Sequence, residues 1–261
     1  MARLYLIFVL IVALPWSTAA SSAAADVGVI LMHGKGETSP TAISGLANVL
    51  RSKGFIVATP EMPWSGNRQY DVDYPAALNE IEAAANSLQS KGASRIIVAG
   101  FSFGANAALA YAAADRQVDG VMAIAPGHVP DLRGFQAKVA KSVQKASQMI
   151  AEGKGDSTAW FDDINQGRSE SVRATARAYL SYFDPAGQAS MPRSAQHMPR
   201  AVPFLWVIGN KDRLLRQGQE YVYDKFPRHP KSRYLVVSAG HGNTPGVATG
   251  EIVEWLMALG Y

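Results

Sequence analysis

The sequence predicts an α/β protein with a doubly wound, mostly parallel sheet of six strands. Six short apolar segments of the kind that form buried strands alternate with segments whose apolar residues recur at helical spacing. Polar residues directly follow several of the strand segments, and the carboxyl ends of parallel strands are where such sheets bind their ligands. The chain has 261 residues, of which 48% are hydrophobic and 18% charged, so it can bury one large core.

The expected strands and helices follow one another in the order that a parallel sheet requires. Strands are expected at residues 27–32, 55–60, 96–99, 118–125, 202–208 and 232–237. Helices are expected at 43–50, 74–91, directly after Ser102, at 217–226 and at 251–259, and Thr38 or Ser39 with Pro40 is typical of the start of the first helix. Because right-handed crossovers connect parallel strands, these helices should cover both faces of the sheet.

The segment from about residue 131 to residue 200 interrupts this alternation. Residues 135–152 and 171–183 have the spacing of amphipathic helices, residues 153–167 resemble a loop, and residues 188–200 are irregular. No strand is expected in this segment. We therefore predict a helical cap that is inserted between the fourth and fifth strands of a single domain spanning residues 26–261.

The first 25 residues have the pattern of a secretory signal peptide. Arg3 provides a positive start, residues 4–14 are almost continuously apolar, and small residues lead to an A-x-A sequence that ends at Ala25. The competing interpretation is a membrane anchor, but the apolar run is shorter than a membrane-spanning helix needs. The sequence thus predicts cleavage near Ala25, a secreted or periplasmic protein, and no stable membrane insertion after cleavage.

Composition excludes several classes of function. The net charge is +4 and the basic residues are scattered along the chain, so no nucleic-acid interface is expected. The chain contains no cysteine, which excludes thiol nucleophiles and thiolate metal sites. No pair of histidines or carboxylates has the spacing of metal ligands, so we expect no catalytic metal.

The fourteen residues around Ser102 have the pattern of a nucleophile elbow. Four apolar residues lead into Gly100-Phe101-Ser102-Phe103-Gly104, and an alanine-rich helical segment follows. A serine on such a sharp strand-to-helix turn has a strained backbone, so the residues two before it and two after it must be nearly without side chains. Gly100 and Gly104 meet this requirement.

A serine hydroxyl needs a base to remove its proton, and the base needs a carboxylate that holds it in the correct tautomer. His241 follows the sixth expected strand and Asp212 follows the fifth, so that the order along the chain is Ser102, Asp212, His241. Asp131 and Asp184 remain alternatives for the orienting acid. Asp212 itself could also be an aspartate that only caps a helix.

These features together resemble the α/β-hydrolase superfamily over essentially the whole mature length. The resemblance rests on His33-Gly34-Lys35-Gly36 after the first strand, on the elbow, and on the positions of Asp212 and His241. It implies hydrolysis of esters through an acyl-serine, without a cofactor. It also implies an oxyanion hole formed by the backbone N–H groups of Phe103 and Lys35, with Gly34 next in line.

At its amino end the sequence departs from the larger members of that superfamily. They begin with additional, partly antiparallel strands, whereas the first strand here starts almost at the expected mature terminus. We therefore predict a reduced sheet of six parallel strands. Trp64, His128 and Trp160 are candidates for the substrate pocket, while His33 is interpreted as a structural histidine that supports its loop.

The predicted function is a serine carboxylesterase that acts on a small-molecule ester. The alternatives within the same chemistry are a lipase or lysophospholipase, a thioesterase and a serine peptidase. A binding protein that kept the fold and lost the chemistry is the alternative from another class, and the Ser102, Asp212 and His241 positions argue against it. The acyl and alcohol groups and the oligomeric state are not predicted from the sequence.

Overall fold

The computed structural model describes residues 26–37, 41–213 and 215–260, in which eight strands occur. They are β1 (Val27–Met32), β2 (Ile56–Ala58), β3 (Arg95–Phe101), β4 (Gly120–Ile124), β5 (Thr158–Asn165), β6 (Arg168–Thr175), β7 (Phe204–Gly209) and β8 (Arg233–Val237). Six of them form one sheet in the order β2-β1-β3-β4-β7-β8, and every neighbouring pair in it is parallel. The prediction of a six-stranded parallel α/β sheet is confirmed. The expected signal peptide and the helix start at Thr38, Ser39 and Pro40 lie outside the described residues.

Helices cover both faces of this sheet. They are α1 (Ser44–Ser52), α2 (Tyr74–Ser90), α3 (Phe103–Ala113), α4 (Arg133–Ala151), α5 (Ala176–Phe183), α6 (Met191–Gln196), α7 (Leu215–Tyr221), α8 (Thr244–Val247) and α9 (Thr249–Ala258). Among the described residues, no helix combines the length and the apolar character that crossing a membrane requires.

The alternation of side chains along the strands divides the interior into two cores. In β3, Ile96 and Val98 face one core, which also contains the buried faces of α2 and α3, and Ile97 and Ala99 face the other core, which contains those of α1 and α9. Successive side chains of a strand point to opposite faces. The continuous apolar runs seen in the sequence are therefore explained by burial on both sides of the sheet.

The insertion between β4 and β7 is not purely helical, and here the prediction is corrected. Its helix α4 lies close to the expected span 135–152, but β5 and β6 form an antiparallel hairpin where a loop and the first part of a helix were expected. The two residues at the hairpin turn, Gln166 and Gly167, have positive φ angles of 51° and 79°, as type I′ turns require.

Burial explains why the hairpin was missed. In β6 only Ala174 is buried, so the strand lacks the apolar alternation that identifies a strand in a sequence. Helix α5 begins only at Ala176, because the side chain of Thr175 caps it by accepting a hydrogen bond from the Ala178 N–H (3.1 Å). The last part of the insertion, expected to be irregular, contains the short helix α6.

Candidate active site

Ser102 lies on a strained turn between β3 and α3. Its φ of 55° and ψ of −113° fall in a region that residues with side chains rarely adopt. A Cβ atom at Gly100 would lie 2.1 Å from the carbonyl carbon of Gly104, and a Cβ atom at Gly104 would lie 2.5 Å from the carbonyl oxygen of Met32. Both glycines are thus required for steric reasons, as the sequence pattern indicated.

The structure brings Ser102, His241 and Asp212 together in a hydrogen-bonded chain. His241 Nε2 lies 3.0 Å from Ser102 Oγ, and His241 Nδ1 lies 2.6 Å from Asp212 Oδ2. Because an ionised carboxylate only accepts hydrogen bonds, His241 Nδ1 must donate to Asp212. The neutral imidazole therefore carries its proton on Nδ1 and presents the lone pair of Nε2 to the serine hydroxyl. Ser102 and Asp212 are buried, and the side chain of His241 is 15% exposed.

The carboxyl ends of three parallel strands supply these three side chains. Ser102 follows β3, and Asp212 lies in a turn after β7 in which its own N–H donates to the carbonyl of Gly209 (2.9 Å). This turn is joined to the end of β8, because the N–H of Asn210 donates to the carbonyl of Val237 (2.8 Å). His241 begins a short 3-10 helix shortly after β8.

The two alternative acids have other partners. Both carboxylate oxygens of Asp131 accept a hydrogen bond from the Tyr221 hydroxyl at 2.8 Å, and burial raises the pKa of this carboxyl. Asp184 Oδ1 accepts from the N–H of Ala186 (2.9 Å). Of the three candidate acids, Asp212 is the one hydrogen-bonded to His241.

Two backbone N–H groups near Ser102 are the candidate oxyanion donors. The N–H of Phe103 is at the amino end of α3, where the first N–H groups have no acceptor within the helix. The N–H of Lys35 belongs to the peptide that follows Gly34. His33 Nδ1 donates to the carbonyl oxygen of Gly34 (2.7 Å). Because the N–H and C=O of a trans peptide point in opposite directions, the Lys35 N–H points away from the imidazole of His33.

His33 is buried and has the structural role that was predicted for it. Its Nε2 accepts a hydrogen bond from the N–H of Met62 (2.9 Å), so both ring nitrogens are used in holding the loop. Desolvation lowers the pKa of this imidazole, which keeps it neutral with the proton on Nδ1. The orientation of the Gly34–Lys35 peptide is therefore set by a fixed tautomer of His33.

The side chain of Lys35 makes a contact that the sequence did not predict. Its Nζ donates to Asp163 Oδ1 of β5 at 2.5 Å and to the carbonyl of Ile164 at 3.0 Å. The hydroxyl of Tyr70 donates to the other oxygen of Asp163 at 2.9 Å. The alternation along β5 could have indicated that Asp163 faces inward, because Phe161 and Asp163 are buried and Trp160 is exposed.

A cavity of about 130 Å³ lies beside Ser102. It is lined by Ser102, Asp212 and His241 and by residues of the loop after β1, the segment after β4 and the hairpin, among them Lys35, Pro126, His128, Val129, Phe135, Ile164, Gln166 and Arg213. Of the predicted pocket residues, His128 lines this cavity, and Trp64 lines an adjoining one of about 240 Å³. A further cavity of about 260 Å³ is lined by Phe204 and Ser232, at the amino ends of β7 and β8 and so at the opposite edge of the sheet.

The third predicted pocket residue, Trp160, lines none of these cavities. Its side chain is 62% exposed on the outer face of β5, so its assignment to the pocket is corrected. The period of two along a strand places Trp160 opposite to Phe161, which is the aromatic residue that faces inward.

His128 is held as a neutral imidazole among the rings of Phe103, Phe135 and Phe183. Its ring stacks on Phe103 at a centroid distance of 3.9 Å, and its Nε2–H donates to the carbonyl of Tyr182 (2.7 Å). Burial and the nearby Lys35 ammonium hold its pKa well below the usual range. Within residues 26–37, 41–213 and 215–260, no group of three or more His, Asp or Glu side chains is arranged to hold a metal ion.

Comparisons with known proteins agree with this architecture. A model of a family described as "Alpha/beta hydrolase family" matches residues 29–253. No curated protein sequence matches the chain. Similar solved structures include one reported for LipS and LipT, two metagenome-derived lipolytic enzymes (18% identity, 90% of this chain and 93% of that chain, TM-score 0.64).

Two further structures are similar to the same extent. Monoacylglycerol lipase from Paleococcus ferrophilus shares 19% identity, with 89% of this chain and 94% of that chain covered and a TM-score of 0.64. Est1E from Butyrivibrio proteoclasticus shares 14% identity, with 90% and 89% covered and a TM-score of 0.64. At these identities the likeness describes the fold.

Proposed function

Because this chain belongs to the alpha/beta hydrolase family, we propose that it is a serine carboxylesterase that cleaves its substrate through an acyl-serine intermediate. The observation that carries the proposal is the hydrogen-bonded chain from Ser102 through His241 to Asp212. In this chain a buried carboxylate, an imidazole of defined tautomer and a serine hydroxyl on a strained turn are aligned in the order that nucleophilic catalysis needs. The fold neighbours that are named as lipases and lipolytic enzymes support ester chemistry.

The proposed reaction has two halves. Ser102 Oγ attacks the ester carbonyl carbon while His241 Nε2 removes the hydroxyl proton, and the imidazolium then gives this proton to the leaving alcohol. A water molecule next attacks the acyl-serine, His241 takes its proton, and the acid leaves as Ser102 regains a hydrogen. Asp212 stabilises the imidazolium in both halves. The N–H groups of Phe103 and Lys35 are proposed to bind the oxyanion.

The cavity beside Ser102 favours a small acyl group over a long lipid chain. Its volume is about 130 Å³, and an apolar cavity of about 150 Å³ holds one benzene molecule. Pro126, Val129, Phe135 and Ile164 give it apolar walls. We therefore assign the substrate to esters of short or compact acids, and keep lipase, thioesterase and peptidase activities as outcomes of the test.

The proposal includes export from the cytoplasm. Its support is the sequence of residues 1–25, with a basic start, an apolar run and small residues before Asp26. The mass of the exported chain checks whether residues 1–25 are removed, and a chain that stays in the cytoplasm would contradict the proposed export.

A fluorophosphonate probe with a series of substrates tests the activity. The probe should form an adduct on Ser102 in the folded protein, and neither Ser102→Ala nor His241→Ala should be labelled. Hydrolysis of p-nitrophenyl esters should fall as the acyl chain lengthens from acetate to laurate, whereas a lipase would show the opposite trend. Thioesters and peptides in the same panel test for thioesterase and peptidase activity. A folded wild-type protein that forms no adduct on Ser102 would be a binding protein instead.

A further inference from the structure

Asp163 lies on the inner face of the β5–β6 hairpin, where its carboxylate accepts three hydrogen bonds. Its side chain is 2% exposed and accepts from Lys35 Nζ, from the hydroxyl of Tyr70 and from the N–H of Ile164. A buried carboxylate with this set of donors is fully satisfied as an anion. The insertion thus places one compensated negative charge against the loop that follows β1.

The ammonium group of Lys35 is buried among aromatic rings. Its side chain is 6% exposed, and Nζ lies 5.6 Å from the ring centroids of Phe103 and Phe135 and 5.2 Å from that of Phe183. Burial lowers the pKa of Lys35, and the charge of Asp163 is the largest influence in the opposite direction. Because an unpaired ammonium is costly to bury and lysine has a long flexible stem, the side chain would turn to solvent without Asp163.

Both residues that are expected to donate to the oxyanion have side chains in this cluster. The ring of Phe103 stacks between Trp64 (4.8 Å) and His128 (3.9 Å), and the Lys35 ammonium lies beside the same ring. The backbone on either side of Lys35 is also held, since His33 binds the Gly34 carbonyl and the Gly36 N–H donates to the Trp64 carbonyl (2.9 Å). The Lys35–Asp163 ion pair adds a third attachment, which comes from the insertion.

We infer that Asp163 is a positioning residue for the oxyanion hole: by fixing the side chain of Lys35, it fixes the peptide whose N–H meets the developing negative charge. This inference rests on the proposed esterase function. It gives the insertion a part in the chemistry besides covering the cavity, because the oxyanion hole reaches its final geometry only when the hairpin is packed against the loop. Because an oxyanion-hole N–H stabilises the transition state only when it is aligned with the oxyanion, a displaced Lys35 N–H should lower kcat.

The test compares variants of the full-length mature protein with a short-chain p-nitrophenyl ester. Asp163→Asn should lower kcat by about tenfold or more while KM changes by less than about twofold, as expected for an interaction made mainly in the transition state. The rate of phosphonylation of Ser102 should fall in parallel, because the probe's phosphoryl oxygen occupies the same hole. The matched control is Asp162→Asn, which removes a charge from the neighbouring position on the outer face, where the carboxylate accepts from Ser142 Oγ. This control should keep kcat within about twofold.

A second variant keeps the inference testable if Asp163→Asn does not fold. Lys35→Met with Asp163→Asn removes both charges together, so that no uncompensated charge stays buried. A folded double variant, judged by its circular dichroism and melting temperature, should have the same reduced kcat as Lys35→Met alone. The inference would be overturned by wild-type kcat in folded Asp163→Asn or in the folded double variant, or by a change that affects KM alone. A wild-type protein that neither hydrolyses esters nor labels at Ser102 would instead overturn the proposed function.

Discussion

Replacing Asp212 by Asn is the most direct test of the proposed charge arrangement. In the structure Asp212 accepts the Nδ1–H of His241 at 2.6 Å in a buried environment. An asparagine side chain can turn its amide nitrogen toward the imidazole, and the Nδ1 atom would then accept a hydrogen bond and lose its proton to Nε2. An Nε2–H that faces Ser102 Oγ at 3.0 Å cannot remove the serine proton.

The size of the effect follows from this change of tautomer. Because the variant keeps the volume of the side chain but inverts the proton positions of His241, kcat should fall by about 10⁴-fold. At about 1.36 kcal/mol for each factor of ten, this is a rise of about 5 kcal/mol in the activation barrier. The substrate contacts are unchanged, so KM should stay near the wild-type value.

The assay is steady-state hydrolysis of a short-chain p-nitrophenyl ester, with protein concentration checked by a stability measurement on each variant. Asp131→Asn and Asp184→Asn are the matched controls, since their carboxylates are bound to Tyr221 and to the N–H of Ala186. Both controls should retain nearly full activity. If Asp212→Asn is nearly as active as wild type, the reasoning about the tautomer is refuted, and a collapse of activity in one of the controls would move the acid to that position.

Three further predictions concern His128, Trp160 and Val129. The pKa of His128 is well below its usual value of about 6.5 in the folded protein, so between pH 7 and pH 5 the unfolded chain binds a proton that the folded chain excludes. Stability should therefore decrease as the pH falls below the usual pKa of histidine, about 6.5. Urea denaturation should show that His128→Gln loses less stability than wild type over this range, and equal losses would contradict the assignment. Trp160→Ser should leave kcat/KM within about twofold of wild type, because the side chain is exposed and outside the cavities. Val129→Phe, which fills the cavity wall, should selectively reduce kcat/KM for the larger acyl groups in an ester series.

Local patterns explain how much of the fold could be predicted. The six sheet strands are buried on both faces and appear in the sequence as continuous apolar runs, which few other structures produce. The candidate triad of Ser102, Asp212 and His241 could also be anticipated, because each member follows a strand within four residues and parallel strands end at one edge. For Ser102 the flanking glycines supplied a steric argument that the backbone angles bear out.

The insertion could not be predicted in the same way, because its structure depends on contacts between distant residues. The β6 strand is polar and exposed, so its extended form is stabilised by pairing with β5 and not by its own pattern. Lys35 and Asp163 are 128 residues apart, and neither residue type indicates a buried ion pair on its own. Trp160 was assigned to the pocket because it is aromatic, whereas the strand period, known only once β5 is recognised, directs it outward.

In the hairpin, residues with two different roles lie a few positions apart. Asp163 is held by the loop after β1, while Gln166 and Gly167 at the turn contribute to the wall of the cavity beside Ser102. A turn of this kind accepts changes in sequence and length more readily than the paired strands do. Under the proposed esterase function, natural selection can therefore alter which acyl groups enter by varying the turn, and leave the proposed catalytic geometry intact. Relatives of this chain would be expected to diverge at the turn before they diverge at Asp163.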